Sequence, residues 1–158
     1  MSDPTQPRAD PVLDRTVPPD KLYVTAKAVI RRGAELLLLR EQLPNGDIVL
    51  DLPGGRLDIG EDIEPGLRRE LFEELGVEAT SVSPLPIKTW TGVNVLNDGV
   101  VALAFAVELA SGERTDAFDH SASPEVLGAT WVTAEQHAAS ADFLHKPAIT
   151  ELLARGAS

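Results

Sequence analysis

The residues of this sequence best suited to chemistry are three glutamates spaced to share one side of a helix. Glu70 and Glu74 are one helical turn apart and Glu73 lies between them, which would place their carboxylates about 6 Å from one another. At an effective dielectric constant near 20, each pair would repel by about 3 kcal/mol. We therefore expect a compensating cation, and oxygen ligands of this type suit Mg²⁺, with Mn²⁺ as a substitute.

A glycine-rich loop precedes these glutamates. Gly55 has no side chain, so its backbone atoms could approach an ion or a phosphate group closely. Arg56 follows directly, and Arg40 ends a predicted strand. Either guanidinium could form the paired hydrogen bonds that arginine makes with phosphate oxygens, or could be only a solvated charge. We treat both arginines as candidate substrate-binding residues.

The helix that carries the glutamates has clear predicted ends. Asp62 can cap its first turn, Pro65 is tolerated in that turn, and Gly76 suits the left-handed residue that ends many helices. These signals predict a helix from Ile63 to Leu75. Its apolar positions predict the face that packs on the core: Leu67, Leu71, Phe72 and Leu75.

Apolar segments rich in β-branched residues lie on both sides of this helix. Strands interrupted by helices predict an α/β domain with a mixed β-sheet. The predicted strands are Leu22–Ile30, Glu35–Arg40, Ile48–Leu52, Val82–Val95, Val100–Leu109 and Ala129–Val132, with Asn97-Asp98-Gly99 as a hairpin turn. The further predicted helices are Ala134–Ala139 and Lys146–Ala154.

Length and composition limit the other possibilities. The chain of 158 residues suits one domain, predicted over residues 21–158, after a flexible proline-rich arm at residues 1–20. A net charge of -11 argues against a large nucleic-acid surface. No segment is apolar enough to predict a membrane span, and there is no cysteine, so we expect a cytoplasmic protein.

Acidic residues at helical spacing usually form only a solvated helix face. The longer pattern from Gly55 to Val77 favours a specific function instead. Glycine is followed after five residues by glutamate, and after seven more by Arg-Glu, an apolar residue, any residue, Glu-Glu, any residue, glycine and an apolar residue. At average amino-acid frequencies, chance would produce this match with a probability on the order of 10⁻⁶. The segment resembles the Nudix box of the Nudix hydrolases.

This resemblance implies a fold, an activity and a set of site residues. The fold would be the Nudix α/β/α sandwich with a mixed sheet. The activity would be Mg²⁺-dependent hydrolysis of a diphosphate bond, by metal-activated water, in a nucleoside triphosphate or a nucleoside diphosphate derivative. The resemblance implies metal ligands at Gly55, Glu70, Glu73 and Glu74, an orienting role for Arg69, and a bracing role for Glu61 at the start of the helix.

Several roles stay open at this level. The general base could be Glu73 or a glutamate on a later loop, for which Glu125 is the candidate, although it could equally be a surface acid. Trp90 and Trp131 could stack on a base, but core packing is their more common role. Val93 occupies the position where the ADP-ribose group of the family carries proline. The sequence therefore leaves the substrate open.

Two other functions and one assembly are compatible with the resemblance. The domain could sense a nucleotide without cleaving it, although every acidic residue of the box is intact. It could also hydrolyse an organic diphosphate that is not a nucleotide. Many members of the family dimerise, so a homodimer is an expectation of the resemblance alone.

Overall fold

The structure is a computed structural model that describes residues 21–94, 96–110 and 124–156. The arm predicted over residues 1–20 lies outside these ranges. The elements follow in chain order: β1 Leu22–Val29, β2 Arg31–Arg32, β3 Glu35–Gln42, β4 Ile48–Asp51, β5 Gly54–Arg56, α1 Ile63–Leu75, β6 Ala79–Val82, β7 Lys88–Val93, β8 Gly99–Leu109, β9 Val126–Val132, α2 Ala134–Ala138 and α3 Lys146–Ala154.

The strands form two sheets. A five-stranded sheet has the order β5-β1-β8-β6, with β7 also paired to β8, and a four-stranded sheet joins β2, β3, β4 and β9. β1 and β8 run parallel whereas β1 and β5 are antiparallel, so the larger sheet is mixed. This confirms the predicted α/β class with a mixed sheet.

Alternate residues of the same strands supply two apolar cores. Leu37 and Leu39 of β3 belong to the core that includes Leu67 of α1, whereas Leu36 and Leu38 belong to the core formed with α3. All four β3 leucines are fully buried, because successive strand residues point to opposite faces and both faces are covered by other elements. The result is the predicted sandwich, with helices on both sides of the strands.

The predicted bounds of α1 are confirmed, and Gly76 ends the helix with a φ of 65° in the left-handed region. Two details were wrong. Phe72 is 62% exposed, so it does not belong to the core face. Asp62 occupies the N-cap position, but its side chain makes no capping hydrogen bond.

The strand predicted over Val82–Val95 is too long: β7 covers only Lys88–Val93, and Val82 is the last residue of the separate strand β6. Pro84 and Pro86 lie between them, and proline interrupts a strand because it has no N–H group for the ladder. The predicted hairpin turn joins β7 to β8 as part of a loop in which Asn97 has a φ of 63°. Among the residues described, no helix has the length and apolar character needed to cross a membrane.

Candidate active site

The central feature of the site is the contact between α1 and the two glycines of β5, Gly54 and Gly55, which form part of a strand and not the predicted loop. The backbone N–H of Gly54 donates a hydrogen bond of 2.7 Å to Oε1 of Glu74, whose side chain is buried. A methyl group added at Gly55 would lie 2.7 Å from the Glu70 carboxyl carbon. Only glycine at this position lets the β5 backbone approach the Glu70 carboxylate so closely in this arrangement. Strand β5 and helix α1 therefore build one site.

Arg69 organises the exposed side of this site. Its guanidinium donates to Glu61 at 2.8 and 2.9 Å, to Glu70 at 3.0 Å and to Glu73 at 3.1 Å. It also donates to the backbone oxygen of Arg56. Glu61 accepts a further bond from the Asp58 N–H. Hydrogen bonding by Arg69 lowers the pKa of Glu61 to about 2. These contacts place Arg69 among Glu61, Glu70 and Glu73, and its orienting role stays a prediction.

The buried end of the site contains an ion pair that the sequence analysis missed. Nζ of Lys27 lies 2.9 Å from Oδ2 of Asp51, and both residues are buried. Burial acts to lower the pKa of Lys27, but Asp51 and nearby glutamates together raise it above its usual value. Lys27 therefore remains a cation. Its signal in the sequence is a charged residue between two alanines inside an apolar strand.

Glu41 of β3 is a second residue that the sequence analysis missed. It follows the last core leucine of β3 by two residues and lines the same cleft as the α1 glutamates. Burial, reinforced by Asp51 and Glu125, raises the pKa of Glu41 to about 8. Burial also raises the pKa of Glu70 and, more strongly, that of Glu74. Within the described ranges, the acidic side chains that line the cleft therefore outnumber the basic ones, Lys27 and Arg56.

The cleft has a volume of about 510 Å³ and is bounded by residues of β1, β3, β5, β8 and α1 and of several connecting loops. It brings together most of the predicted site residues: Gly55, Arg56, Glu70, Glu73, Glu74 and Glu125. The Arg56 guanidinium lies 4.3 Å from the centre of the Tyr23 ring. Arg40 is exposed and does not line this cleft, so the structure does not place it with the other candidates.

One wall of the cleft is built around His145. The Trp90 indole N–H donates a hydrogen bond of 2.8 Å to Nδ1 of His145, and the Phe143 ring packs edge-on at 5.2 Å. Because indole can only donate, Nδ1 must be unprotonated and the proton of the neutral ring lies on Nε2. Burial lowers the pKa of His145 to about 4, which keeps this ring neutral. No feature of the sequence alone connects Trp90 with His145.

Trp131 is not part of the cleft. It packs partly buried against the core beneath α1, and Arg32 lies 4.4 Å above its ring. This agrees with the more common packing role of a tryptophan. Trp90 likewise packs against the core formed with α3. Of the two indoles, only Trp90 touches a residue of the cleft wall.

The donor set suits a hard divalent cation. Carboxylate and backbone oxygens are the ligands Mg²⁺ prefers, and Gly55 leaves room for a close approach beside Glu70. Within the described residues, no three acidic or histidine side chains already converge as a set of metal ligands. Arg69 holds oxygens of Glu70 and Glu73, and Glu74 accepts the Gly54 N–H. The residues are present, and one oxygen of each of these three carboxylates accepts a hydrogen bond from a protein donor.

Comparison with known proteins identifies this arrangement. A family model described as "NUDIX domain" matches residues 21–153. The chain is 32% identical over 125 residues to "MutT-like protein" of Streptomyces ambofaciens, covering 78% of this chain and 71% of that protein. It is 35% identical over 119 residues to "Putative 8-oxo-dGTP diphosphatase 2" of Mycobacterium tuberculosis, covering 72% of this chain and 82% of that protein. A NUDIX hydrolase from Nitrosomonas europaea superposes with a TM-score of 0.66 at 22% identity, over 85% of this chain and 90% of that one.

Together with these matches, a helix that presents glutamates to the glycines of β5, on a mixed sheet covered by helices on both sides, is the site of a phosphoanhydride hydrolase. The chain belongs to the Nudix hydrolase family. It is a pyrophosphohydrolase that acts on phosphorus-containing acid anhydrides, as the resemblance of residues 55–77 to the Nudix box predicted.

Proposed function

We propose that this enzyme uses Mg²⁺ to hydrolyse the diphosphate linkage of a nucleoside triphosphate or a nucleoside diphosphate derivative. The observation that carries the proposal is the meeting of Glu70, Glu73 and Glu74 with Gly54 and Gly55 of β5 in one cleft. Carboxylates whose pKa values are raised by burial gain most from a cation, since the cation favours their charged form. When bound, the metal supplies neutralisation of diphosphate charge and activation of the attacking water.

The protein residues have separate tasks in this proposal. Glu70, Glu73 and Glu74, with the backbone oxygen of Gly55, hold the cation. Arg69 orients two of these carboxylates through its hydrogen bonds. Glu73 or Glu125 accepts the proton of the attacking water, and both line the cleft. Arg56 is positioned at the cleft to pair with substrate phosphate oxygens.

The substrate class is supported by the mixed lining of the cleft. Carboxylates and Arg56 line it together with His145, Phe143 and Leu144, which form an aromatic and apolar wall. A neutral Nε2–H on His145 can donate to a carbonyl oxygen or ring nitrogen of a nucleobase without adding charge. A relative at 35% identity carries a name that specifies 8-oxo-dGTP, which supports a purine nucleoside triphosphate as the first substrate to examine.

The proposed reaction can be tested with a substrate panel and one matched pair of variants. The panel contains nucleoside triphosphates, oxidised purine triphosphates, dinucleotides and nucleotide sugars, each with and without Mg²⁺. Glu74→Gln should lower kcat by about a hundredfold or more, because the variant retains the side-chain shape but loses the charge. Glu64→Gln is the control, because Glu64 lies on the same helix but is exposed and pairs with Arg68.

Three outcomes separate the alternatives. Mg²⁺-dependent release of product by the wild type and by Glu64→Gln, but not by Glu74→Gln, would support the proposal and identify the substrate class. Saturable nucleotide binding without turnover would favour a sensor. Turnover of a diphosphate that is not a nucleotide, with none of any nucleotide, would overturn the proposed substrate class.

A further inference from the structure

A second large depression lies at the opposite end of the β1–β8 strand pair. Tyr23 pairs with Val100 beside the cleft, whereas Val29 pairs with Ala106 at the other end. Six residues of strand separate the two pairs, which corresponds to about 20 Å. The depression has a volume of about 1230 Å³. We call it the far groove, and its walls include Arg31, Arg32, Val82, Ile87, Trp131 and Arg155.

The far groove is basic although the chain is acidic. The full sequence has 25 acidic and 14 basic residues, yet three arginines line this groove. Among the described residues that line it, Glu108 is the one acid. Its carboxylate accepts a hydrogen bond of 3.4 Å from the Ser81 hydroxyl. The local excess of positive charge therefore favours an anion.

Arg31 is the residue that most needs a partner. Its Nη2 donates a hydrogen bond of 2.8 Å to the backbone oxygen of Leu152. Its Nη1 is buried and has no hydrogen-bond partner among the described residues. Burial, with the neighbouring charge of Arg155, also lowers the pKa of Arg31. A buried donor without an acceptor is unfavourable, so Arg31 would gain if its guanidinium turned toward an anion in the groove.

The other two arginines differ in how much of their hydrogen-bonding capacity is in use. Arg155 donates one bond, of 3.3 Å, to the backbone oxygen of Ile87. Arg32 donates two bonds to Glu35 and covers the Trp131 ring. Arg155 therefore keeps exposed N–H groups for a ligand, Arg31 has one buried N–H group without an acceptor, and Arg32 contributes mainly to the wall.

We propose that the far groove is a second ligand site, separate from the catalytic cleft, that binds a small organic phosphate. A phosphate group suits the arginines because its oxygens accept paired hydrogen bonds from guanidinium groups. An organic portion suits the walls formed by Val82, Ile87 and Trp131, which would give up water to an apolar or ring surface. The volume exceeds what inorganic phosphate alone requires.

The test measures binding of AMP and of inorganic phosphate by calorimetry in the presence of EDTA. A second measurement follows Trp131 fluorescence in a Trp90→Phe variant, so that Trp131 is the one tryptophan that reports. Arg155→Gln is the main variant, because Arg155 is exposed and follows the last turn of α3. Arg31→Gln is the second variant. Arg68→Gln is the matched control, since it removes the same charge from the exposed side of α1. We expect one saturable AMP site that Arg155→Gln and Arg31→Gln each weaken by about tenfold or more and Arg68→Gln leaves unchanged.

Each contrary result overturns the proposal. Absence of saturable AMP binding at millimolar concentration would show that the groove holds no organic phosphate. Binding that is lost in Arg56→Gln but retained in Arg155→Gln would place AMP in the cleft. Equal affinity for inorganic phosphate and AMP would show that the apolar walls take no part, and that the site is for a simple anion.

Discussion

The cleft and the far groove lie at opposite ends of the same strand pair and carry opposite charge. In the cleft, Lys27 is paired with a buried aspartate, and carboxyl groups such as Glu41 and Glu74 remain in excess. In the groove, Arg31 and Arg155 bond mainly to backbone oxygens, and positive charge remains in excess. The sign of the charge left without a protein partner therefore indicates the ligand: a cation in the cleft and an anion in the groove.

The largest effect on stability is expected when the buried Lys27 of the cleft is replaced. Lys27→Met leaves the buried Asp51 carboxylate without its partner, which should reduce the free energy of unfolding by about 3–5 kcal/mol. Urea unfolding followed by circular dichroism measures this. The double variant Lys27→Met/Asp51→Leu should recover part of the loss, because no unpaired buried charge remains. No recovery would mean that Lys27 acts mainly through the other glutamates.

The acidic excess predicts an unusual dependence of stability on pH. Glu41 has a pKa of about 8 in the folded protein and about 4.5 when unfolded, so the folded state holds its proton more tightly. The stabilisation is therefore complete below about pH 4.5 and is lost as pH rises through about 8. In EDTA, the free energy of unfolding should fall by a few kcal/mol across this window.

Glu41→Gln provides the control for this pH effect. The amide keeps the shape of the protonated carboxyl group and does not titrate, so the part of the decline that Glu41 causes should disappear in this variant. The part caused by the raised pKa values of Glu74 and Glu70 should remain. A decline of the same size in Glu41→Gln would mean that another buried carboxyl group is responsible.

Because Arg69 orients the carboxylates in the proposed function, its replacement should have an intermediate effect, on catalysis and on metal affinity. Arg69→Gln should lower kcat/KM and the affinity for Mg²⁺ by about 10- to 100-fold, because Glu61, Glu70 and Glu73 lose a shared donor. Steady-state kinetics over a range of Mg²⁺ concentrations measure both quantities. Arg68→Gln should change them little, since Arg68 pairs with the exposed Glu64.

The smallest effect on stability is expected for replacement of Arg32, which lines the far groove. Arg32 is 59% exposed in its side chain and pairs with Glu35 on the surface. Arg32→Gln should therefore change the free energy of unfolding by about 1 kcal/mol or less, including the loss of its contact with Trp131. Chemical denaturation at low and high salt measures this. A loss comparable to that of Lys27→Met would remove the distinction between the two regions.

Local signals in the sequence were sufficient for α1 and its glutamates. Leucines at helical spacing, Pro65 and Gly76 act within one segment, so the bounds of the helix could be predicted without tertiary information. Phe72 shows the limit of the same reasoning, because a helical position near the apolar face is buried only if another element covers it. Here it is exposed.

Contacts between distant segments could not be predicted in the same way. The Lys27–Asp51 pair joins residues 24 apart, and the Trp90–His145 bond joins residues 55 apart. Nothing in either local sequence specifies its partner. Arg40 was chosen for its position at a strand end, but only the sheet geometry shows that it does not line the cleft whereas Glu41 does. The roles of the predicted site residues remain predictions.

The pairing of β1 with β8 also bears on how the enzyme reaches its native state. Few residues separate β5 from α1, so the contact between them closes only a short segment of chain and can form early. The cleft walls need the first strand to meet the eighth and the α3 segment to dock afterwards. Such pairings between distant segments raise the contact order and slow folding. We expect a nascent chain to form the carboxylate helix well before it can enclose a substrate, so binding competence should be among the last properties acquired on refolding.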